Sequence, residues 1–220
     1  MLFGALFALG VWEAFFLRIG ALRDPTHTRT ITVPNGRDGT RELVVGPRNP
    51  NWTPLGRIAA VVPQAVVKAE DGRFWEHEGF DWFELQKSWE RNLEEGKAAR
   101  GGSTITMQLA KNLFLWREKS VLRKALEAYV TWRLERTLEK RRILELYLNV
   151  VEWGPGIYGI GEASRRYFEK SPAELTIGEA ALLAVTLPSP LRSNPGRVTE
   201  YLQRRQQELL GRMYRSGGVE

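Results

Sequence analysis

Residues 120–150, SVLRKALEAYVTWRLERTLEKRRILELYLNV, carry apolar side chains at helical spacing from Ser120 to Leu138 and again from Arg141 to Val150. Ser120 stands as an N-cap in front of the first run. Two amphipathic runs of this length, back to back, predict a mainly helical fold. The same period recurs on either side, over Leu55 to Val67, Trp82 to Leu93 and Ser103 to Phe114. Further on, Thr176 caps the run IGEAALLAVT, which stops before Pro188, and a last amphipathic helix is expected over residues 197–212. Upstream, TRTITV and RELVVG flank PNGRDGT, a turn between two β-branched runs, and predict a small hairpin within a linker spanning residues 23–50. Residues 51–220 then form the main domain.

The first 22 residues, MLFGALFALGVWEAFFLRIGAL, are apolar from Leu2 to Leu17 except for Glu13. A membrane-spanning helix needs roughly 20 such residues, so a membrane anchor is expected, with an amphipathic or core helix as the alternative. Arg18 and Arg23 follow the span, whereas the positive-inside tendency places basic residues before it. A native start upstream of Met1 would reconcile the two.

The chain has 220 residues, 43% hydrophobic and 26% charged, enough for one substantial core. Its net charge of +6 suits an anionic partner. The densest basic cluster, Arg133, Arg136, Lys140, Arg141 and Arg142, comes with no nucleic-acid fold signature, so nucleic acid is not expected as a partner. With no Cys, disulfides, thiol catalysis and Cys-ligated metals are excluded, and with only His27 and His77 a His-rich metal site is not expected.

Three segments could carry chemistry. AEDGRFWEHEGFD, residues 69–81, has no helical or strand period and reads as a structured loop. Burial of Glu70 or Asp71 against its aromatics would raise a carboxylate pKa toward the range of a general base; an acidic surface loop is the alternative. In RGGSTITMQLAKNLF, residues 100–114, a Gly pair and two hydroxyl residues open a helix whose N-terminal amides can hold an anion, and no Gly-Lys-Ser/Thr completes a P-loop. In the helix after Ser120, Arg123 and Lys124 lie four and three residues before Glu127. That spacing fits either a surface ion pair, worth about 0.3–0.5 kcal/mol, or a pair of phosphate ligands oriented by Glu127.

In this order the segments resemble the family 51 glycosyltransferases, the peptidoglycan glycosyltransferases. Glu70, Asp71, Phe74, His77, Gly79 and Asp81 fill every fixed place of that family's first motif. GGSTITMQLAKN, RKALE, RRILELYLNVVEWGPGIYG and EAALLAVTLPSPLRSNP are similar to the four that follow, with Met107 where Gln is common and Trp153 where Phe is usual. KNLFLW, LPSPLR and the end at Glu220 resemble the monofunctional biosynthetic transglycosylases more than bifunctional penicillin-binding proteins.

The resemblance implies a lysozyme-like helical globule with a small membrane-proximal subdomain that includes Phe80, Trp82, Phe83 and Trp89, and mobility over residues 82–99. It implies polymerisation of lipid II into glycan strands, with Glu70 as the catalytic base and Glu127 keeping a cationic set in place. Lys111, Arg123 and Lys124 would hold the donor pyrophosphate. Ser103, Thr104, Gln108 and Asn112 would position sugars or diphosphates, and Asp71 and His77 would either touch substrate or shape the loop. No cofactor is required, although a divalent cation such as Mg2+ assists some family members. The implied partners are lipid II, the growing strand, membrane lipid and other cell-wall synthesis and division proteins. The implied location is the bacterial inner membrane, single-pass, with the catalytic domain on the periplasmic or outer face. A hydrolase on the same scaffold, or a non-catalytic scaffold of the wall-synthesis machinery, are the alternatives.

Overall fold

The computed structural model describes residues 19–35, 39–95, 102–116, 118 and 120–215. Residues 1–18, which carry most of the expected anchor, lie outside them. Among the described residues no helix is long and apolar enough to cross a membrane. Ile19 and Leu22 are buried in the core, and the Leu22 carbonyl accepts a hydrogen bond from Arg142 Nε at 2.9 Å.

Strands β1 (Arg29–Asn35) and β2 (Gly39–Val45) form the expected antiparallel hairpin. Alternation puts Ile31, Val33, Leu43 and Val45 on one buried face, which packs on the helical core rather than standing apart as a tether. Arg41, paired with Val33 at the end of that same face, has its guanidinium carbon 3.5 Å from the centroid of the Tyr158 ring.

The helix expected from Leu55 is broken. A 3-10 turn covers Leu55–Arg57, Ile58 is extended, and helix α1 runs only over Val61–Glu70. Pro63 explains the break, because its ring would clash with the Ala59 carbonyl in a continuous helix while being tolerated in the first turn of a helix that starts at Val61. Helix α2 spans Trp82–Glu95 and leaves Trp82 and Trp89 74% and 67% exposed. Helices α3 (Ile105–Phe114), α4 (Val121–Thr137) and α5 (Lys140–Val150) follow, and the stretch 120–150 folds as its periodicity predicts.

A second hairpin, β3 (Glu152–Gly154) with β4 (Ile157–Tyr158), leads into α6 (Ile160–Phe168). Gly159 makes that entry possible: its φ is 81°, and a Cβ there would stand 2.6 Å from the Asn149 carbonyl oxygen. Helix α7 (Ile177–Thr186) is closed at its start by a Thr176/Glu179 capping box. Helix α8 is Glu200–Arg215, three residues later than its sequence reading, because Thr199 Oγ1 caps the Leu202 amide and residues 194 and 197 are held in a bridge. In the core α7 packs between α1 and α8, and α3 lies against α4 and α5. Trp153 and Met107, the two departures from the family pattern, are both core residues, 0% and 4% exposed.

Candidate active site

Glu70 is the last residue of α1, where the chain leaves the helix for the 71–81 loop. Its Oε2 accepts a 2.7 Å hydrogen bond from Gln108 Nε2 on α3. The Gln108 Oε1 in turn accepts from the Tyr147 hydroxyl on α5 at 2.9 Å. Burial pushes the Glu70 carboxyl above the ordinary carboxylate range; the Gln108 donor and the fields of Lys111 and Arg205 pull the other way, and Asp71 adds to the rise. Burial also pushes the Tyr147 phenol well above 10, so it keeps its proton and remains a donor.

Asp71 is engaged at both oxygens. Oδ1 pairs with His77 Nε2 at 2.8 Å, and Oδ2 accepts from the Ile105 amide, the first of α3, at 2.9 Å. The Gly79 amide donates to His77 Nδ1 at 3.1 Å, so Nδ1 is bare and the ring proton sits on Nε2, directed at Asp71. Thr104 N-caps α3 by accepting from the Met107 amide, and it donates to the Gly79 carbonyl at 2.7 Å. The α3 N-terminus, read from the sequence as a place for an anion, therefore already holds one: the Asp71 carboxylate. Asp71, His77 and Asp81 also bring potential ligand atoms within 4.8 Å of one another. Those atoms are committed elsewhere, with Asp81 Oδ1 accepting from the Glu84 amide and 3.5 Å from Arg73 Nη1, and a cation would have to displace them.

The second group lies at the start of α4. Ser120 Oγ caps the Arg123 amide, Arg123 Nη1 reaches Glu127 Oε2 and Lys124 Nζ reaches Glu127 Oε1, both at 2.5 Å. The Glu127 and Arg123 side chains are only 5% and 11% exposed, so that pair does not lie on the surface, whereas the Lys124 side chain is 51% exposed. Beneath both groups, Glu135 Oε1 accepts from Thr106 Oγ1 at 2.5 Å and pairs with Lys140 Nζ at 2.8 Å, tying α3, α4 and α5 together.

The structure thus gathers Glu70, Asp71, Gln108 and Lys111 around the end of α1, and Arg123, Lys124 and Glu127 on the neighbouring α4. Ser103 and Lys111 are exposed and Asn112 is half-buried, whereas Thr104 is closed off inside the protein. Tyr147 and Arg205 were missed by sequence reasoning: Tyr147 reads as one more apolar position of α5, and Arg205 as part of a charged run.

The family model described as Transglycosylase matches residues 38–214, a span that contains both groups entire. The chain belongs to the transglycosylase family. It is 48% identical over 169 residues to the biosynthetic peptidoglycan transglycosylase of Brucella suis biovar 1 (strain 1330), covering 77% of this chain and 75% of that one. To the protein of the same name from Janthinobacterium sp. (strain Marseille) it is 49% identical over 162 residues, 74% and 70% of the two chains. To that of Thiobacillus denitrificans (strain ATCC 25259 / T1) it is 51% identical over 154 residues, 70% and 66% of the two chains. Within this transglycosylase chain, the first motif of the family is therefore the end of α1 and its loop, and the later motifs are the helices that enclose it.

Proposed function

We infer that this chain is a peptidoglycan glycosyltransferase, and we propose that it polymerises lipid II into β-1,4-linked glycan strands by inversion, releasing undecaprenyl pyrophosphate, with Glu70 as general base. The observation that carries the proposal is the state of Glu70. It is a half-buried carboxyl whose pKa is raised by desolvation, held by one neutral donor and lying in the field of Lys111. A carboxylate of that kind takes a proton more readily than an ordinary one.

In the reaction the 4-hydroxyl of the incoming N-acetylglucosamine gives its proton to Glu70 and attacks the anomeric carbon of the terminal N-acetylmuramic acid. The bond to the diphosphate breaks, and the electron pair leaves with it. A diphosphate departs as a stabilised anion, so cations can replace the general acid that a glycosidase needs. Lys111, Arg123 and Lys124 hold it, and Glu127 fixes Arg123 with one carboxylate oxygen and Lys124 with the other. Ser103 and Asn112 lie toward the substrates. Asp71, Thr104 and Gln108 act on the base and its loop, since their polar atoms are already engaged there. The Asp71, His77 and Asp81 group does not fit a Mg2+ ion without losing those contacts.

The apolar leader anchors the chain in the bacterial inner membrane with the catalytic domain outside, and the exposed aromatics of α2 lie toward the bilayer. Incubation of detergent-solubilised full chain with fluorescent lipid II, followed by gel separation, tests the reaction. The wild type is expected to give a ladder of glycan polymers and Glu70→Gln none. Absence of polymer from folded wild type would leave the non-catalytic scaffold as the better account.

A further inference from the structure

A carboxamide can present either its oxygen or its nitrogen to a neighbour, and a general base needs the nitrogen. Gln108 stands between Glu70 and Tyr147, so its orientation is decided by which of those two groups must donate. Tyr147 is 0% exposed, and among the described residues the hydroxyl's one hydrogen bond is to Gln108 Oε1 at 2.9 Å. Turning the carboxamide over would leave the phenolic proton buried without an acceptor and set Gln108 Oε1 against a carboxylate oxygen, two acceptors facing each other at 2.7 Å. The turned arrangement is tolerable only when Glu70 carries a proton and is useless as a base.

We propose that Tyr147 is a positioning residue for the glycosyl transfer: by donating to Gln108 Oε1 it locks the carboxamide with Nε2 toward Glu70, and so selects the ionised, proton-accepting form of the base. The inference rests on Glu70 being the base. The other charged groups that face Glu70 are Lys111 on α3, Arg205 on α8 and the adjacent Asp71, and none of them contacts the Tyr147 hydroxyl. Tyr147 touches no reacting atom and acts through Gln108 alone.

Tyr147→Phe keeps the ring and removes the hydroxyl, which frees the carboxamide to turn. Loss of the lock favours protonated Glu70, and a base must be ionised, so the acidic limb of the pH–rate profile for polymerisation is expected to move to higher pH. At a pH on that limb kcat should fall about tenfold, the scale of one hydrogen bond to a charged system, with KM within about twofold. A merely structural tyrosine would lower the melting temperature and the yield of active enzyme without moving the limb. Replacement of Tyr147 by 3-fluorotyrosine, a stronger donor of nearly the same size, is expected to leave the limb at or below its wild-type position. The proposal is overturned if the Phe variant has a wild-type limb, or if fluorotyrosine shifts the limb upward as Phe does. Glu70→Gln, run alongside, separates the two ideas: an inactive Glu70→Gln with an unshifted Tyr147→Phe sinks only the positioning role, whereas an active Glu70→Gln removes the base itself.

Discussion

Replacing Asp71 with Asn changes no volume and removes one acceptor, which makes the cost of breaking the loop-to-helix tie calculable. Asp71 accepts from two donors that face it from opposite sides, His77 Nε2 at 2.8 Å and the Ile105 amide at 2.9 Å. An Asn at this position has one oxygen and one NH2 group, so one of the two contacts becomes donor against donor. Moving the His77 proton to Nδ1 does not help, because Nδ1 would then confront the Gly79 amide at 3.1 Å. The loss is therefore one hydrogen bond to a charged acceptor in a site only 7% exposed, about 1.5–3 kcal/mol, together with about 0.3–1 kcal/mol from removing an anion at a helix N-terminus. The sum, about 2–4 kcal/mol, corresponds to a fall in melting temperature of roughly 5–15 °C for a chain of this size. Thermal unfolding of wild type and Asp71→Asn in the same detergent, followed by circular dichroism, reads this directly. A midpoint within about 2 °C of wild type would refute the reasoning and leave Asp71 available to substrate.

Two further outcomes are expected. Because folding raises the Glu70 pKa, the native state holds that proton more tightly than the unfolded chain, so this group's contribution to stability declines as pH rises from the ordinary glutamate value through the raised one. Glu70→Gln should therefore melt higher than wild type at pH 8, with the difference closing as the pH is lowered to about 4; a gap that does not depend on pH would contradict the burial of the base. Glu127→Gln leaves the Arg123 guanidinium, 11% exposed, without its counter-charge, and a loss of about 3 kcal/mol with strongly reduced polymerisation is expected from denaturant unfolding and the lipid II assay.

The helices over residues 120–150 and 177–186 were legible because a single period and a capping residue specified each of them. The break in the run that begins at Leu55 was also written in the sequence, as Pro63, but helical spacing on both sides outweighed it in the reading. The turn at Gly159 and the short β3–β4 hairpin were not legible, since two- and three-residue strands have no period to detect. At the site, residue types and spacing left Glu70 or Asp71 open between a base and a surface loop, and Arg123, Lys124 and Glu127 open between an ion pair and phosphate ligands; the family resemblance singled out Glu70 and Lys111. They could not distinguish a side chain that faces substrate from one that faces the base. Thr104, Asp71 and Gln108 make their contacts with the Glu70 loop and carboxyl because the loop folds back on α3, and Tyr147 reaches Gln108 because α5 packs against α3; both facts belong to tertiary packing.

The polar partners that hold Glu70 come from different parts of the chain: Gln108 from the middle, Tyr147 from beyond it, and Arg205 from near the end. An incompletely folded chain possesses a glutamate at position 70 but not the half-buried, oriented carboxylate. On the proposed reading of Glu70 as the base, a copy of this chain whose last helix has not docked lacks part of the field that shapes that carboxylate, so completion of the fold and completion of the site coincide.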